Sequence, residues 1–131
     1  MAADNVETLL PFQRRRTALL TTFKRDGTPV QTPVTIAVEG DHAFIRTYDK
    51  ASKVKRMRNN PEVELAPSTV AGKPRGETIR ARVRLLDGEE NAHARSLLRR
   101  RQLFLQGIFV PLTHRVMRYR TLHYEVDPIS G

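Results

Sequence analysis

The residues best suited to chemistry in this chain lie in one stretch, KASKVKRMRNNP, residues 50 to 61. Read as helical from 52 to 60 at 3.6 residues per turn, it puts Val54 and Met57 on one side and gathers Ser52, Lys53, Arg56 and Asn60 on the opposite arc. Ser52 stands where an N-cap belongs, so the amide groups of the first turn would point past it toward an incoming anion. A helix N-terminus is already positive and favours Asp or Glu, yet this one opens with Lys53, Lys55 and Arg56. Docking of a dianion such as phosphate would resolve the conflict through charge-assisted hydrogen bonds worth about 1.5 to 3 kcal/mol each. A solvated helix that tolerates its charges explains the pattern equally well, because the repulsion is only about 0.3 to 1 kcal/mol per residue.

The absence of cysteine excludes disulfides, thiolate nucleophiles, iron–sulfur clusters and cysteine-ligated zinc, so redox chemistry would need a borrowed cofactor. The four histidines, His42, His93, His114 and His123, show no HExxH or other metal-ligand spacing and read as strand or surface residues. GxSxG, GxGxxG and Walker-type phosphate loops are absent, and Ser52 has no neighbouring histidine; hydrolase and dinucleotide-fold readings lack support. Lysine and arginine total 23 against 14 acidic residues, a formal charge of +9 that suits either nucleic acid or a charged cofactor. Arg80, Arg82 and Arg84 make the best nucleic-acid stripe, but only 6% of the chain is aromatic and no stacking residue alternates with them, so a solvated or interface face is the better reading. Tyr48, beside Arg46 and Thr47, suits contact with a ring system and, equally, ordinary strand packing.

The elements that must position these residues are short and mostly extended. At 131 residues and 39% apolar content the chain can bury one core, hence one domain over residues 1–131. Residues 1–5 are polar and expected to be disordered, and a short helix is expected from Val6 to Arg16 despite Pro11. Two β-rich runs, TALLTTFK and PVQTPVTIAV, meet at Arg25-Asp26-Gly27-Thr28, where Asp-Gly supplies the positive φ of a tight hairpin. Glu39-Gly40-Asp41 turns into a third strand, HAFIRT. EVELAPS follows the basic helix as a fourth, then VAGKPRGE, a glycine-containing, basic loop expected to be mobile when nothing is bound. TIRARVRLL alternates, with Ile79, Ala81, Val83 and Leu85 facing the core. Glu89 starts an amphipathic helix carrying Ala94, Leu97, Leu98 and Leu105, with Gly107 as its stop. Glu89 and Glu90 at its start and Arg99, Arg100 and Arg101 near its end agree with the helix dipole. TLHYEV sets Leu122, Tyr124 and Val126 on one side of a last strand before Pro128. Six mostly antiparallel strands with helices inserted after the third and before the last fit a small barrel better than a sandwich, a mainly-β domain with helical inserts. No run approaches the roughly 18 apolar residues of a membrane span, and MAADNVETLLPF has neither a basic start nor a signal-type apolar stretch, so a cytoplasmic protein is expected.

In its order of elements, ALLTTFKRDGTPVQTPV, then HAFIRTYDKASKVKRMRNNPEVELAPS, then a glycine-containing loop and RARVRLLDGEE, the chain resembles the flavin and deazaflavin oxidoreductase superfamily. That superfamily shares the FMN-binding split β-barrel of pyridoxamine 5′-phosphate oxidases. The likeness runs from Leu9 to Pro128, is most specific over SKVKRMRNNPEVELAP, and is nearest the actinobacterial branch expected to use the deazaflavin coenzyme F420. The resemblance implies a six-stranded antiparallel split barrel and a homodimer with cofactor sites at the subunit interface. It implies that Thr32, Pro33 and Val34 lie beside the ring system with Arg46 and Thr47 close by. It further implies that Lys50, Ser52 and Lys53 hold the phosphate with Arg56 in support, and that Pro67 and Ser68 border the site, in part from the partner subunit. The arginine- and tryptophan-containing C-terminal pattern of true pyridoxamine phosphate oxidases is absent from TLHYEVDPISG, which speaks against that activity.

Between F420 and FMN, the positive charge favours F420, whose tail adds carboxylates that Lys73 and Arg75 would meet. The expected activity is hydride transfer from reduced cofactor to a small electron-poor acceptor such as an enone, quinone or tetrapyrrole. Orientation, water exclusion and a positive field come from the protein, and the proton from Tyr48 or solvent. The rivals are an FMN-dependent oxidoreductase of the same fold, a non-catalytic cofactor- or haem-binding module, and a nucleic-acid-binding protein favoured by charge alone.

Overall fold

Alternation of apolar and polar residues along the extended runs gives every strand one inward face, and six such strands satisfy their backbone groups by closing on one another. The structure, a computed structural model, describes residues 2–106 and 120–129. Strands β1 (Thr17–Phe23), β2 (Pro29–Glu39), β3 (His42–Tyr48), β4 (Glu62–Ser68), β5 (Ile79–Leu85) and β6 (Thr121–Pro128) form a closed barrel in the order β1-β2-β3-β6-β5-β4. Each neighbouring pair is antiparallel, and β4 returns to β1. Helices α1 (Ala2–Gln13), α2 (Ser52–Asn59) and α3 (Gly88–Gln106) precede β1, link β3 to β4, and lead toward β6. Among the described residues no helix is long and apolar enough to cross a membrane.

The barrel interior is filled by alternate residues such as Ala18 and Leu20 of β1, Val34 and Ile36 of β2, Ile45 of β3 and Leu65 of β4. Leu9 and Phe12 of α1 and Met57 of α2 join the same cluster. A second cluster lies outside the barrel under α3, where Ala37 and Phe44 meet Leu86, Ala94 and Leu98. Phe44 sits between the inward Ala43 and Ile45, so the pleat turns it, and with it Arg46 and Tyr48, outward. The same parity on β6 sends Tyr124 inward and His123 outward.

Several expectations shift. The polar start is no frayed tail: α1 begins at Ala2, with the Thr8 hydroxyl donating to the Asp4 carbonyl at 2.8 Å, and ends at Gln13 rather than Arg16. Leu85 is 54% exposed and Leu86 is buried in its place. The amide of Leu86 bonds the carbonyl of His123 at 3.0 Å, and its side chain joins the cluster beneath α3. Because α3 runs to Gln106, Arg99 and Arg100 sit in its middle rather than its last turn, which carries no basic residue. The Arg101 and Leu105 side chains, Gly107 and His114 lie outside the described residues.

The loop after β4 is tied down instead of free. Thr69 N–H bonds the Lys73 carbonyl at 2.9 Å, Lys73 N–H bonds the Thr69 hydroxyl at 3.0 Å, and Ser68 bridges Pro74. Gly72 holds φ at +91°, and a Cβ there would stand 3.7 Å from both Leu19 and Pro33, so the loop lies against the outer face of β1 and β2. Gly72→Ala is expected to cost about 1–2 kcal/mol in urea unfolding, through left-handed backbone strain rather than collision.

Candidate functional site

The helix that carries the cationic residues starts one residue earlier in its capping pattern than its sequence implies. Ala51 is the N-cap, with extended backbone angles, and Ser52 is the first helical residue and makes no capping hydrogen bond. Among the described residues no side chain answers the first-turn amides, and no acidic residue lies in that turn to balance Lys53. Val54 and Met57 are buried as the spacing implies, which fixes Lys53 and Arg56 on the flank facing the strands. Arg56 donates from Nε to the Thr22 hydroxyl of β1 at 2.6 Å. Burial, and then the charge of Arg56, pushes the Lys53 ammonium below its ordinary pKa. A half-buried cation beside another cation at a positive helix end is a standing cost that an anion would remove.

Lys53 lines a groove of about 110 Å³ with Pro33, Val34, Thr35, Arg46, Thr47 and Tyr48. The strands bring these together because Thr35 pairs with Arg46 in the β2–β3 ladder, while α2 begins four residues after β3 ends. Thr47 is 2% exposed, and its hydroxyl has no hydrogen-bond partner among the described residues. Buried polar atoms are almost always partnered, so this hydroxyl, like the Asp49 Oδ1 atom nearby in sequence, can still take a hydrogen bond from a water or a ligand. A larger cleft of about 560 Å³, between α1, β2 and α3, carries Arg14, Arg16 and Arg100 but no such orphaned atom among the described residues.

Of the residues expected to form the site, Pro33, Val34, Arg46, Thr47 and Lys53 line the groove, and so does Tyr48. Thr32 is half-buried one residue before the groove begins, while Lys50 and Ser52 are exposed at its helical end. Pro67 and Ser68 stand level with Val34 and Thr35 but two strands away across β1, about 10 Å by strand spacing. The Ser68 hydroxyl is spent on the Thr69 carbonyl at 3.0 Å.

His123 and Asn91 were not legible as site residues. His123 is fully buried; its Nε2 accepts from Arg46 Nε at 3.3 Å, and its Nδ1–H donates to Asn91 Oδ1 at 2.7 Å. One neutral tautomer satisfies both bonds. Burial first, then the charges of Arg46 and Arg95, pushes its pKa down to about 4. Burial, with Arg95 and Arg99 adding to it, likewise lowers that of Arg46. The other described histidines are engaged with acids: His42 with Asp41 and Glu39 at 2.8 and 3.1 Å, His93 with Glu39 at 2.7 Å. No group among the described residues could hold a metal ion. The arginine stripe of β5 is also neutralised, Arg80 and Arg82 facing Glu62 and Arg84 facing Glu90 and Glu125.

The barrel order, the helix between β3 and β4 and the groove beside it define a split barrel of the pyridoxamine 5′-phosphate oxidase type. The chain belongs to the pyridoxamine 5′-phosphate oxidase family, whose model matches residues 3–120. No curated protein matches the sequence. Among solved structures, an F420 reductase superposes with a TM-score of 0.66 at 21% identity, covering 95% of this chain and 93% of that one. An FAD-binding protein from Mesorhizobium loti gives 0.64 at 16% identity, covering 99% and 90%. HutZ, the heme storage protein from Vibrio cholerae, gives 0.65 at 14%, covering 95% and 89%. At such identities the likeness establishes the fold.

Proposed function

We propose that this chain is an F420-dependent oxidoreductase that reduces a small electron-poor acceptor. The observation that carries the proposal is the convergence, in one groove, of the half-buried Lys53 ammonium and the orphaned Thr47 hydroxyl. An ammonium and a hydroxyl donor beside an uncapped helix end fit a phosphate. Lys53 would hold it with the first-turn amides, Lys50 and Ser52 would meet it from the exposed side, and Arg56, braced on Thr22, would support the field. Pro33 and Val34 would bound the ring system, Thr32 would flank it, and Arg46 would face its polar edge. When bound, reduced F420 supplies a hydride that, with one proton, saturates the acceptor's double bond. The protein's part is to hold the reactants together, exclude water and offer a proton from the Tyr48 hydroxyl or solvent.

A groove of about 110 Å³ is small against the roughly 300–1,000 Å³ of complete small-molecule sites, which supports a homodimer in which a partner subunit closes the site, with Pro67 and Ser68 contributing across the interface. F420 is favoured over FMN because the loop bearing the exposed Lys73 and Arg75 folds against Pro33 at the groove's edge, where a carboxylate tail would meet it. FMN in the same cradle is the second reading, favoured by the likeness to an FAD-binding protein. A haem module is the third reading, favoured by the likeness to HutZ; among the described histidines, His42, His93 and His123 each make hydrogen bonds to other side chains.

Fluorescence titration of the purified chain with F420 and with FMN tests the reading. Tighter binding of F420, with an affinity that falls more steeply with salt than that of FMN, is expected. Failure of both to bind below millimolar concentration would overturn it. Light scattering should give twice the chain mass.

A further inference from the structure

Asn91, Ala94 and Leu98 recur at helical spacing along α3 and share the face that meets the barrel. Ala94 and Leu98 join Phe44 and Leu86 in the cluster beneath the helix, while Asn91 is its polar end. The Asn91 backbone is helical, its N–H bonded to the Asp87 carbonyl at 3.1 Å, and its side-chain oxygen accepts from Nδ1 of the fully buried His123 at 2.7 Å. His123 stands directly opposite Arg46 in the β3–β6 ladder, and its Nε2 accepts the Arg46 Nε–H at 3.3 Å. Side chains from three elements thus make one run of hydrogen bonds that ends in the groove, which Arg46 lines. The protons along it are not interchangeable. A guanidinium only donates, so Nε2 must accept, the ring proton must sit on Nδ1, and Asn91 must offer its oxygen rather than its NH2 group. An asparagine turned the other way would move the ring proton to Nε2, where it would meet the Arg46 N–H head on. Arg46 interacts with other groups as well, so what His123 adds is direction. The other side-chain ties of α3 among the described residues, Glu90 to Arg84 and His93 to Glu39, end outside the groove.

We propose that Asn91 is a positioning residue of the cofactor groove, acting through His123 to aim the Arg46 guanidinium at the bound cofactor. The proposal rests on the reading of the groove as a cofactor site; the relay rests on the hydrogen bonds alone. Asn91 does not itself line the groove. Its effect on binding is to order Arg46 beforehand, so that less side-chain freedom is lost when a ligand arrives. The link also works in reverse: a ligand that engages Arg46 steadies His123 and, through it, the start of α3.

NMR of the nitrogen-labelled full chain, free and with F420, or with FMN if only that binds, reads the relay directly. In the wild type His123 should carry its proton on Nδ1 and leave Nε2 bare, and the cofactor should shift the Arg46 Nε–H and Asn91 side-chain amide signals together. Asn91→Leu removes the acceptor with a good helix former of similar size. It should speed exchange of the Arg46 Nε–H about tenfold and weaken cofactor binding about fivefold, the range of one net hydrogen bond. His93→Ala releases a different tie of α3 and should leave the His123 and Arg46 signals and the cofactor affinity unchanged. A ring proton on Nε2 in the wild type overturns the relay, as does a cofactor shift at Arg46 that does not reach Asn91, and neither result needs a variant. Unchanged Arg46 exchange or unchanged cofactor affinity in Asn91→Leu also overturns the positioning role. An equal loss of affinity in His93→Ala does so too, by making any loosening of α3 sufficient. If the chain binds neither F420 nor FMN, the cofactor reading falls, and the ring proton and the Arg46 exchange rate still decide whether Asn91 holds Arg46.

Discussion

Lys53→Ala should weaken binding of F420, and of FMN, by about 10- to 150-fold, the equivalent of the roughly 1.5 to 3 kcal/mol carried by a charge-assisted hydrogen bond. The sign of its effect on the empty protein separates a binding lysine from a structural one. Lys53 is half-buried, its ammonium is disfavoured first by that burial and then by Arg56, and no acidic residue lies in the first turn of α2 to pair with it. Removing it relieves like-charge repulsion, so the unfolding midpoint of the free chain should stay the same or rise. Fluorescence titration and urea unfolding of the two proteins side by side make the check. Unchanged cofactor affinity would remove Lys53 from the phosphate site, and a fall in stability without cofactor would make it a structural residue. Lys53→Glu should abolish binding outright, since it adds repulsion to the loss.

The strands were legible because their signal is local. Ile79, Ala81 and Val83 alternate with arginines over a run that has one period and one interpretation, and the observed strand keeps it. The alternation stops being decisive at Leu85-Leu86, where two identical side chains compete for one buried place. Packing under α3, with Ala94 and Leu98, selects Leu86. The loop from Thr69 to Gly76 misled for a similar reason. Its glycines and charges read as freedom, yet Gly72 is what lets the backbone turn at φ +91° and settle on Leu19 and Pro33. Ser52 shows the limit of capping rules: the residue type is right for a cap, but the chain enters α2 at Ala51.

The candidate site divides along the same line. Pro33, Val34, Arg46, Thr47 and Lys53 lie on elements joined by a short helix and a hairpin, and their convergence in one groove follows once those elements are placed. Thr35 joins them with no signal beyond strand parity. His123 and Asn91 could not be found in this way, because Arg46 and His123 are 77 positions apart and His123 and Asn91 are 32 apart. A histidine in a strand looks the same in sequence whether it meets solvent or bridges an arginine and an asparagine. Closure of the barrel by β6 against β3 decides which.

That bridge leads to a second large effect. His123 is fully buried and neutral in the folded chain, with its pKa pushed down to about 4 from 6.5 by burial and by Arg46 and Arg95. Above pH 6.5 neither the folded nor the unfolded chain carries a proton there, and the group adds no pH dependence. As pH falls below 6.5 the unfolded chain takes up the proton and the folded chain does not, so stability drops until about pH 4, by roughly 3 kcal/mol in all. His42 has the opposite sign. Hydrogen bonds that its ring N–H groups donate to Asp41 and Glu39 outweigh its burial and raise its pKa, so its contribution is present at low pH and lost as pH rises. Comparison with His123→Gln cancels the terms common to both proteins. Between pH 7 and pH 4 the wild type should therefore lose about 3 kcal/mol more than the variant in urea unfolding, and the His123 ring should titrate near 4 by NMR. Protonation turns Nε2 from an acceptor into a second donor facing the Arg46 guanidinium, so ligand affinity at the Arg46 end should fall in the same acid range. A His123 midpoint near 6.5, or parallel stability curves for the two proteins, would mean that the imidazole does not hold Arg46 as a neutral acceptor.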